Sequence, residues 1–217
     1  DVVDRLLEAF QSTLQALADE PALWDLGAVA RGRAAAPGAP AVATSVPMSL
    51  LQQGYLAERI RHPRQASGYI FRSFRCEAFQ PARWQQALDA LLADHPMLKA
   101  YASPRGTLEC PDAVAAYEIP VSDASDIPAQ TRAMLQDFVA DRGWPAFRLR
   151  LLRQPDGSAL LLSLLDMAAF DAHSAWSFYS ELIGRAHGAA GTRESGGWKP
   201  FLRQRGAARG DAAHQRH

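Results

Sequence analysis

The sequence predicts an α/β fold in which a mixed sheet is covered by helices. Residues 159–165 are almost wholly aliphatic, as in a strand that is buried on both faces. The preceding segment, Phe147–Arg153, alternates apolar residues with arginines, which indicates a strand with one face in solvent. Stretches with apolar residues at helical spacing separate these and other strand-like segments. This order favours a helix-covered sheet over a helical bundle or a repeat protein.

The first half of the fold is predicted to hold two helices and three strands. A helix covers about residues 49–61, and a strand follows near 69–77. Pro81 occupies a first-turn position that proline favours, so it opens the second helix. The inward face of that helix carries Trp84, Ala87, Leu88 and Leu91. Short strands are predicted near residues 98–102 and 108–110.

The second half is predicted to contain a helix, a hairpin and a closing helix. The first of these covers about residues 128–141. It buries Met134, Leu135, Phe138 and Val139. The hairpin joins strands 147–153 and 158–165 through Gln-Pro-Asp-Gly, a strong turn signal. The closing helix begins near Asp171. Its predicted apolar face consists of Trp176, Phe178, Tyr179, Leu182, Ile183 and Ala186.

Three regions are distinguished along the chain. Residues 1–26 have the pattern of one amphipathic helix, which ends ahead of Pro21 with a short exit. Its apolar face carries Val3, Leu6, Leu7, Phe10, Leu14 and Leu17. Residues 27–45 are rich in Ala, Gly and Pro and are predicted to form a linker. Residues 46–217 form the predicted α/β unit.

Charge and composition argue against several classes of function. The chain has 23 basic and 23 acidic residues, and this balance implies no nucleic-acid partner. No apolar run is long enough to span a bilayer and no signal-peptide pattern is present, so we expect a cytoplasmic protein without a membrane partner. Cys76 and Cys110 lack the spacing of zinc ligands, and the histidines lack metal-binding spacing on a helix. With no nucleotide-binding glycine motif either, we expect neither a metal nor a directly bound cofactor.

The most informative motif follows the aliphatic strand. Asp166, Asp171 and Ser174 stand at D-x4-D-x2-S spacing, where the strand runs into a loop that opens a helix. Polar groups beside a buried strand need hydrogen bonds, a charge partner or a cleft. A purely structural interpretation is available for Asp171, because a carboxylate ahead of a helix accepts hydrogen bonds from free N–H groups of the first turn.

The segment around this motif, 143–182, resembles the heterocyclization domains of nonribosomal peptide synthetases. In that branch of the condensation domains, D-x4-D-x2-S replaces the usual His-His-x3-Asp-Gly. Three further segments resemble family landmarks in the expected order: VPMSLLQQGY at 46–55, the helix ending DHPMLK at 94–99, and RGWPAFRLR at 142–150. The resemblance implies a chloramphenicol-acetyltransferase-like lobe, one half of a V-shaped two-lobe condensation-type domain.

The resemblance also bears on how the chain is divided. Residues 46–217 are expected to be the N-terminal lobe only, incomplete at the C-terminal end, with the last residues resembling the stretch that leads toward the second lobe. Residues 1–26 resemble the closing helix of a preceding condensation-type domain. A docking or capping helix that packs on the lobe itself is the alternative.

The activity that the resemblance implies is amide formation followed by cyclodehydration. Such domains join a carrier-bound acyl group to Cys, Ser or Thr and then form a thiazoline or oxazoline, in the biosynthesis of siderophores or other natural products. No cofactor is bound directly, since substrates arrive on phosphopantetheine arms. The implied partners are acyl or peptidyl carrier domains and adjacent synthetase domains: an adenylation domain and a second condensation-type domain.

The site residues are assigned on the same basis. Asp171 is the expected catalytic carboxylate, since a positioned carboxylate can assist the proton transfers of this chemistry. Ser174 is its hydrogen-bonding partner. Asp166 is expected to hold the loop through a basic side chain, with Lys99 as the first candidate, because the family carries Arg at that position. The alternatives are a non-catalytic scaffold or carrier-protein docking module, and a condensation domain that forms only the amide.

Overall fold

The computed structural model describes residues 44–62, 68–77, 79–140 and 143–191. The helix predicted at 1–26, most of the linker and the segment after residue 191 lie outside the described residues. Their assignments therefore stay predictions.

The described chain alternates helices and strands, as expected. In chain order, the elements are β1 (Thr44–Pro47), α1 (Leu50–Arg61), β2 (Tyr69–Cys76), α2 (Pro81–Asp94), a 3-10 helix (Pro96–Lys99), β3 (Tyr101–Ser103), β4 (Thr107–Cys110), β5 (Val121–Asp123), α3 (Ile127–Ala140), β6 (Phe147–Arg153), β7 (Ala159–Asp166) and α4 (Ala172–Ala186). The predicted α/β fold with a helix-covered mixed sheet is confirmed.

The larger sheet has the strand order β2-β7-β6-β5. Strand β7 runs antiparallel to both β2 and β6, whereas β5 runs parallel to β6, so the sheet is mixed. The β6–β7 hairpin turns where the Pro-Asp-Gly signal predicts it. Gly157 has φ +83° there, and its N–H donates to the carbonyl of Gln154. Because β7 pairs with β2 on one side and β6 on the other, it is a central strand of the sheet.

Helices cover both faces of this sheet. On one face α2 and α4 pack side by side over β6 and β7, and on the other face α3 packs on the same strands. The first face buries Leu161 and Leu165, and the second buries Leu162 and Leu164. Apart from the half-buried Leu160, every residue of β7 is buried, which confirms the prediction made from its aliphatic run.

The expectation that the arginine face of β6 lies in solvent is wrong. The Arg150 side chain is only 18% exposed, and its Nη1 donates to Oε1 of Gln130 on α3. Leu152, on the same face, is fully buried. Because α3 covers this face, the arginines are half-buried along their stems, as long cationic side chains often are.

The smaller sheet is antiparallel and has the order β1-β4-β3. The strand predicted at 98–102 begins later, at Tyr101. Leu98 lies instead in the 3-10 helix, where its N–H donates to the carbonyl of His95. Pro96 opens this turn because its ring fixes a φ that suits the first position of a helix.

The predicted apolar face of α4 is wrong at Trp176, which is 69% exposed. The buried residues of this helix are Ala175, Phe178, Tyr179, Leu182 and Ala186. At about 100° per residue, Trp176 lies roughly a quarter of a turn away from the line of Ala175, Leu182 and Ala186. Its large apolar ring therefore faces solvent.

Candidate functional site

The D-x4-D-x2-S motif lies where the prediction placed it. Asp166 is the last residue of β7, and Asp171 immediately precedes the first residue of α4. Between them the chain makes a tight turn, in which the N–H groups of Ala169 and Phe170 both donate to the carbonyl of Asp166, at 2.9 and 2.8 Å. The motif thus spans a short, internally hydrogen-bonded connection from the centre of the sheet to a helix.

Asp166 is buried, and both oxygens of its carboxylate accept hydrogen bonds. Its carboxylate makes a two-pronged ion pair with Arg59 of α1, in which Nη1 donates to Oδ2 at 2.7 Å and Nη2 donates to Oδ1. Oδ1 also accepts the N–H of Ala168 at 2.7 Å. Both residues are 4% exposed. A carboxylate in such surroundings holds the loop in place rather than facing a substrate.

Arg59 connects three segments of the chain. Besides Asp166, its Nη2 donates to the carbonyl of Gly68, which also accepts the N–H of Met167. The guanidinium lies 5.7 Å from the centre of the Phe138 ring. Its Nε has no hydrogen-bond partner within the described part of the chain. The two-pronged geometry is one that only arginine provides.

The expectation that Lys99 pairs with Asp166 is wrong. Lys99 ends the 3-10 helix, and its Nζ donates to the carbonyl of Asp112 at 3.2 Å in an exposed setting. The charge partner of Asp166 comes instead from α1, where Arg59 lies on the buried side with Leu56 and Ala57. An arginine at that helical spacing from buried residues was the signal that sequence reasoning missed.

Asp171 and Ser174 form a reciprocal helix cap. Oδ1 of Asp171 accepts the N–H of Ser174 and its hydroxyl, each at 2.7 Å, and Oγ of Ser174 accepts the N–H of Asp171 at 2.9 Å. These hydrogen bonds from Ser174 keep the pKa of the Asp171 carboxyl below its ordinary value. The pair is the capping box of α4. At neutral pH the site therefore presents an exposed, ionised carboxylate.

A cleft of about 500 Å³ opens beside the motif, between α4, the end of α2 and the 3-10 helix. Its apolar wall includes Leu91, Leu98, Phe170 and Phe178. This volume falls within the range of small-molecule sites, about 300–1,000 Å³. Of the three motif residues, only Ser174 is among the described residues that line the cleft.

The polar side of the cleft combines two histidines with a carboxylate. His173 follows the cap and lines the cleft together with His95 and Glu181. Nε2 of His95 lies 3.1 Å from Oε2 of Glu181, and Nη2 of Arg185 donates to the same oxygen at 2.9 Å. Nη1 of Arg185 donates to Oδ2 of Asp94 at 2.8 Å. These side-chain contacts connect α4 to the end of α2.

The described residues contain no group of three or more His, Cys, Asp or Glu side chains placed to hold a metal ion. Nor do they contain a helix that is long and apolar enough to cross a membrane.

Comparison with known proteins shows the fold. No family model matches the chain, and no curated protein does. Among solved structures, the chain is similar to the nonribosomal peptide synthetase FmoA3, with 24% identity, a TM-score of 0.57, and coverage of 78% of this chain and 18% of FmoA3. It is also similar to the starter condensation domain of rhizomide synthetase RzmA, with 16% identity, a TM-score of 0.59, and coverage of 81% and 45%.

A third similar structure is the EpoB cyclization-docking bidomain from Sorangium cellulosum. It shares 15% identity with a TM-score of 0.58, and the match covers 99% of this chain and 43% of the bidomain. The described chain therefore has the fold of condensation-type domains. It spans less than half the length of each of these three proteins.

Proposed function

We propose that this chain is the first lobe of a condensation-type domain of a nonribosomal peptide synthetase, and that the domain carries out heterocyclization. The observation that carries the proposal is the D-x4-D-x2-S motif at the junction of β7 and α4, within a condensation-domain fold and beside a cleft. The named similar structures are synthetase domains, one of them a cyclization domain, which supports the same reaction class.

The proposed chemistry has two stages. In the first, the amine of carrier-bound Cys, Ser or Thr attacks a carrier-bound thioester, so that a C–N bond forms, the C–S bond breaks and the thiol leaves with a proton. In the second, the side-chain thiol or hydroxyl attacks the new amide carbonyl, and water is lost to give a thiazoline or oxazoline. Each stage needs proton transfers that a fixed carboxylate can assist. It also needs both substrates held together, which a site between two lobes provides.

Within this proposal the motif residues divide their roles. Asp171, exposed and ionised, is the carboxylate that meets the substrate, and Ser174 orients it through the hydroxyl hydrogen bond of 2.7 Å. Asp166, paired with Arg59, keeps the loop in position. Substrates are delivered by carrier proteins on phosphopantetheine arms. Adjacent adenylation and condensation-type domains complete a cytoplasmic assembly.

A non-catalytic scaffold or carrier-docking lobe is the second candidate. One observation favours it: both carboxylates of the motif already have structural partners, Arg59 for Asp166 and the first turn of α4 for Asp171. A helix cap of this kind occurs in proteins of every function. A domain that forms only the amide is the third candidate.

The test is intact-mass analysis of carrier-bound products made by the two-lobe protein that contains this chain. An amide product that loses one further water supports heterocyclization, and an amide without that loss supports the condensation-only candidate. No amide at all supports the scaffold. Asp171→Asn should keep the helix cap, since Asn caps as well as Asp, yet it removes the charge. We expect cyclized product to fall about 10²–10⁴-fold, with folding retained.

The control is Asp126→Asn. Oδ1 of Asp126 accepts the N–H of Ala129 at the start of α3, so it is another helix-capping aspartate, but it lies outside the site. Product formation should be unchanged in this variant. Ser174→Ala should lower the rate less than Asp171→Asn does, because it removes a hydrogen bond rather than a charge. Cyclization by Asp171→Asn at the rate of the Asp126→Asn control would show that Asp171 carries no proton.

A further inference from the structure

The pair formed by His95 and Glu181 has no part in the motif chemistry described above. His95 lies between α2 and the 3-10 helix, and Glu181 lies two turns along α4 from the motif. Both side chains are 22% exposed, and both line the cleft that Ser174 also lines. A titratable pair at the wall of a cleft next to a candidate site is a common arrangement in catalytic sites.

The geometry fixes which nitrogen of His95 is available. An ionised carboxylate only accepts hydrogen bonds, so Nε2 of His95 must be the donor to Oε2 of Glu181. In the neutral ring, Nδ1 then carries the lone pair. No hydrogen bond to Nδ1 exists among the described residues. A carboxylate that orients an imidazole through one nitrogen, leaving the other as a base, is the arrangement that general-base histidines use.

Glu181 is itself held in position. Arg185 donates to the same Oε2 that His95 contacts, and it also donates to Asp94 at the end of α2. Arg185 therefore holds Glu181 in position, so the His95 ring has a fixed partner. The charged and titratable groups that face His95 are therefore Glu181 and Arg185 from α4 and Asp94 from α2, with His173 across the cleft.

We propose that His95, oriented by Glu181, is the group that takes the proton from the substrate amine during amide formation. This inference rests on the proposed function and adds a residue to it. As the C–N bond forms, the amine proton moves to Nδ1. As the C–S bond breaks, the same proton passes to the departing thiolate, so the imidazole is regenerated. Asp171 then serves the cyclization stage, so the two stages use separate groups: His95 in the wall of the cleft and Asp171 beside the cleft at the start of α4.

The experiment measures the initial rate of amide formation between pH 5.5 and 8.5 in the two-lobe protein, for the wild type, His95→Gln and Glu181→Gln. Imidazole is the side chain that titrates in this range. We expect His95→Gln to lower the rate about 10²-fold and to remove one titration from the pH profile. Glu181→Gln should cause a smaller loss of rate, because it weakens the contact that orients the ring.

The matched control is His62→Gln. His62 also lies next to a glutamate, Glu58, with 3.8 Å between Nε2 and Oε1, but the pair is exposed and outside the cleft. Its rate and pH profile should equal those of the wild type. Thermal unfolding of each variant checks that the fold is kept, and added imidazole should restore part of the rate to His95→Ala.

The possible outcomes distinguish failure of the role proposed for His95 from failure of the proposed function. If the wild type forms amide and His95→Gln keeps both its rate and its pH profile, His95 is not the proton acceptor, while the proposed function stands. If the wild type forms no amide from any carrier-bound pair, the proposed function fails and this inference fails with it. A large rate loss in His95→Gln with an unchanged pH profile and no rescue of His95→Ala would assign His95 a structural role and overturn the inference.

Discussion

The ion pair between Arg59 and Asp166 gives the sharpest test of how the motif loop is held. Both side chains are almost fully buried, at 4% and 5% exposure. Removing one partner leaves the other as an uncompensated buried charge, which costs about 3–5 kcal/mol. In a chain of this size, 1 kcal/mol corresponds to about 2–4 °C of melting temperature. We therefore expect Arg59→Met to lower the melting temperature by about 6–20 °C.

The assay is a double-mutant cycle, with urea and thermal unfolding of Arg59→Met, Asp166→Leu and the double variant. The double variant should be much more stable than the sum of the single effects predicts, because it leaves no unpaired charge. The decisive comparison is the stability of Lys99→Met, since Lys99 was the partner of Asp166 expected from the sequence. That variant should change stability by less than about 0.5 kcal/mol, as exposed substitutions do.

Two results would refute this reasoning. One is a destabilisation by Lys99→Met as large as that by Arg59→Met, which would restore the sequence-based pairing. The other is additivity in the cycle, which would mean that Arg59 and Asp166 stabilise the fold independently.

Three other predictions concern packing, thiol chemistry and pH. Phe178→Ala should destabilise the fold by about 3–5 kcal/mol, whereas Trp176→Gln should change it by no more than about 0.5 kcal/mol in urea unfolding. Burial raises the pKa of the Cys76 thiol to about 11, so iodoacetamide at pH 8 should label it only after unfolding, as mass spectrometry would show. The pKa of the Asp171 carboxyl is lowered in the folded protein, so the ionised carboxylate stabilises the fold. This stabilisation should be complete above the ordinary carboxyl pKa of about 4. It should be lost as the pH falls through the lower pKa of the folded state. Urea unfolding between pH 2 and 6 should show that dependence in the wild type, and Asp171→Asn should reduce it.

The sequence predicted the parts of the fold that depend on local pattern. The aliphatic run of β7 requires cover on both faces, and Pro-Asp-Gly at 155–157 requires a turn, so both could be inferred without a structure. The position of Asp171 ahead of α4 followed from the same kind of reasoning, because a helix start needs a capping acceptor.

The contacts that the sequence did not predict are those between distant segments. Arg59 and Asp166 are separated by 107 positions. Helical spacing can predict that Arg59 lies on a buried face, but it cannot predict which distant residue pairs with it. The resemblance pointed to Lys99 instead, and the 3-10 helix ends with that side chain at Asp112. Trp176 was misplaced for a different reason: it shares helical spacing with Ile183, but the buried face of α4 is centred on Ala175 and Leu182.

The separation of 107 positions also bears on the order in which the protein folds. The β6–β7 hairpin and α4 are made from neighbouring sequence and can form early, because closing short loops costs little entropy. The contact between Arg59 and Asp166 joins segments that are 107 positions apart, so we expect it to form late. In φ-value terms, substitutions at Arg59 should accelerate unfolding and leave the refolding rate almost unchanged. An intermediate that already contains β7 and α4 would then carry all three motif residues before Arg59 pairs with Asp166.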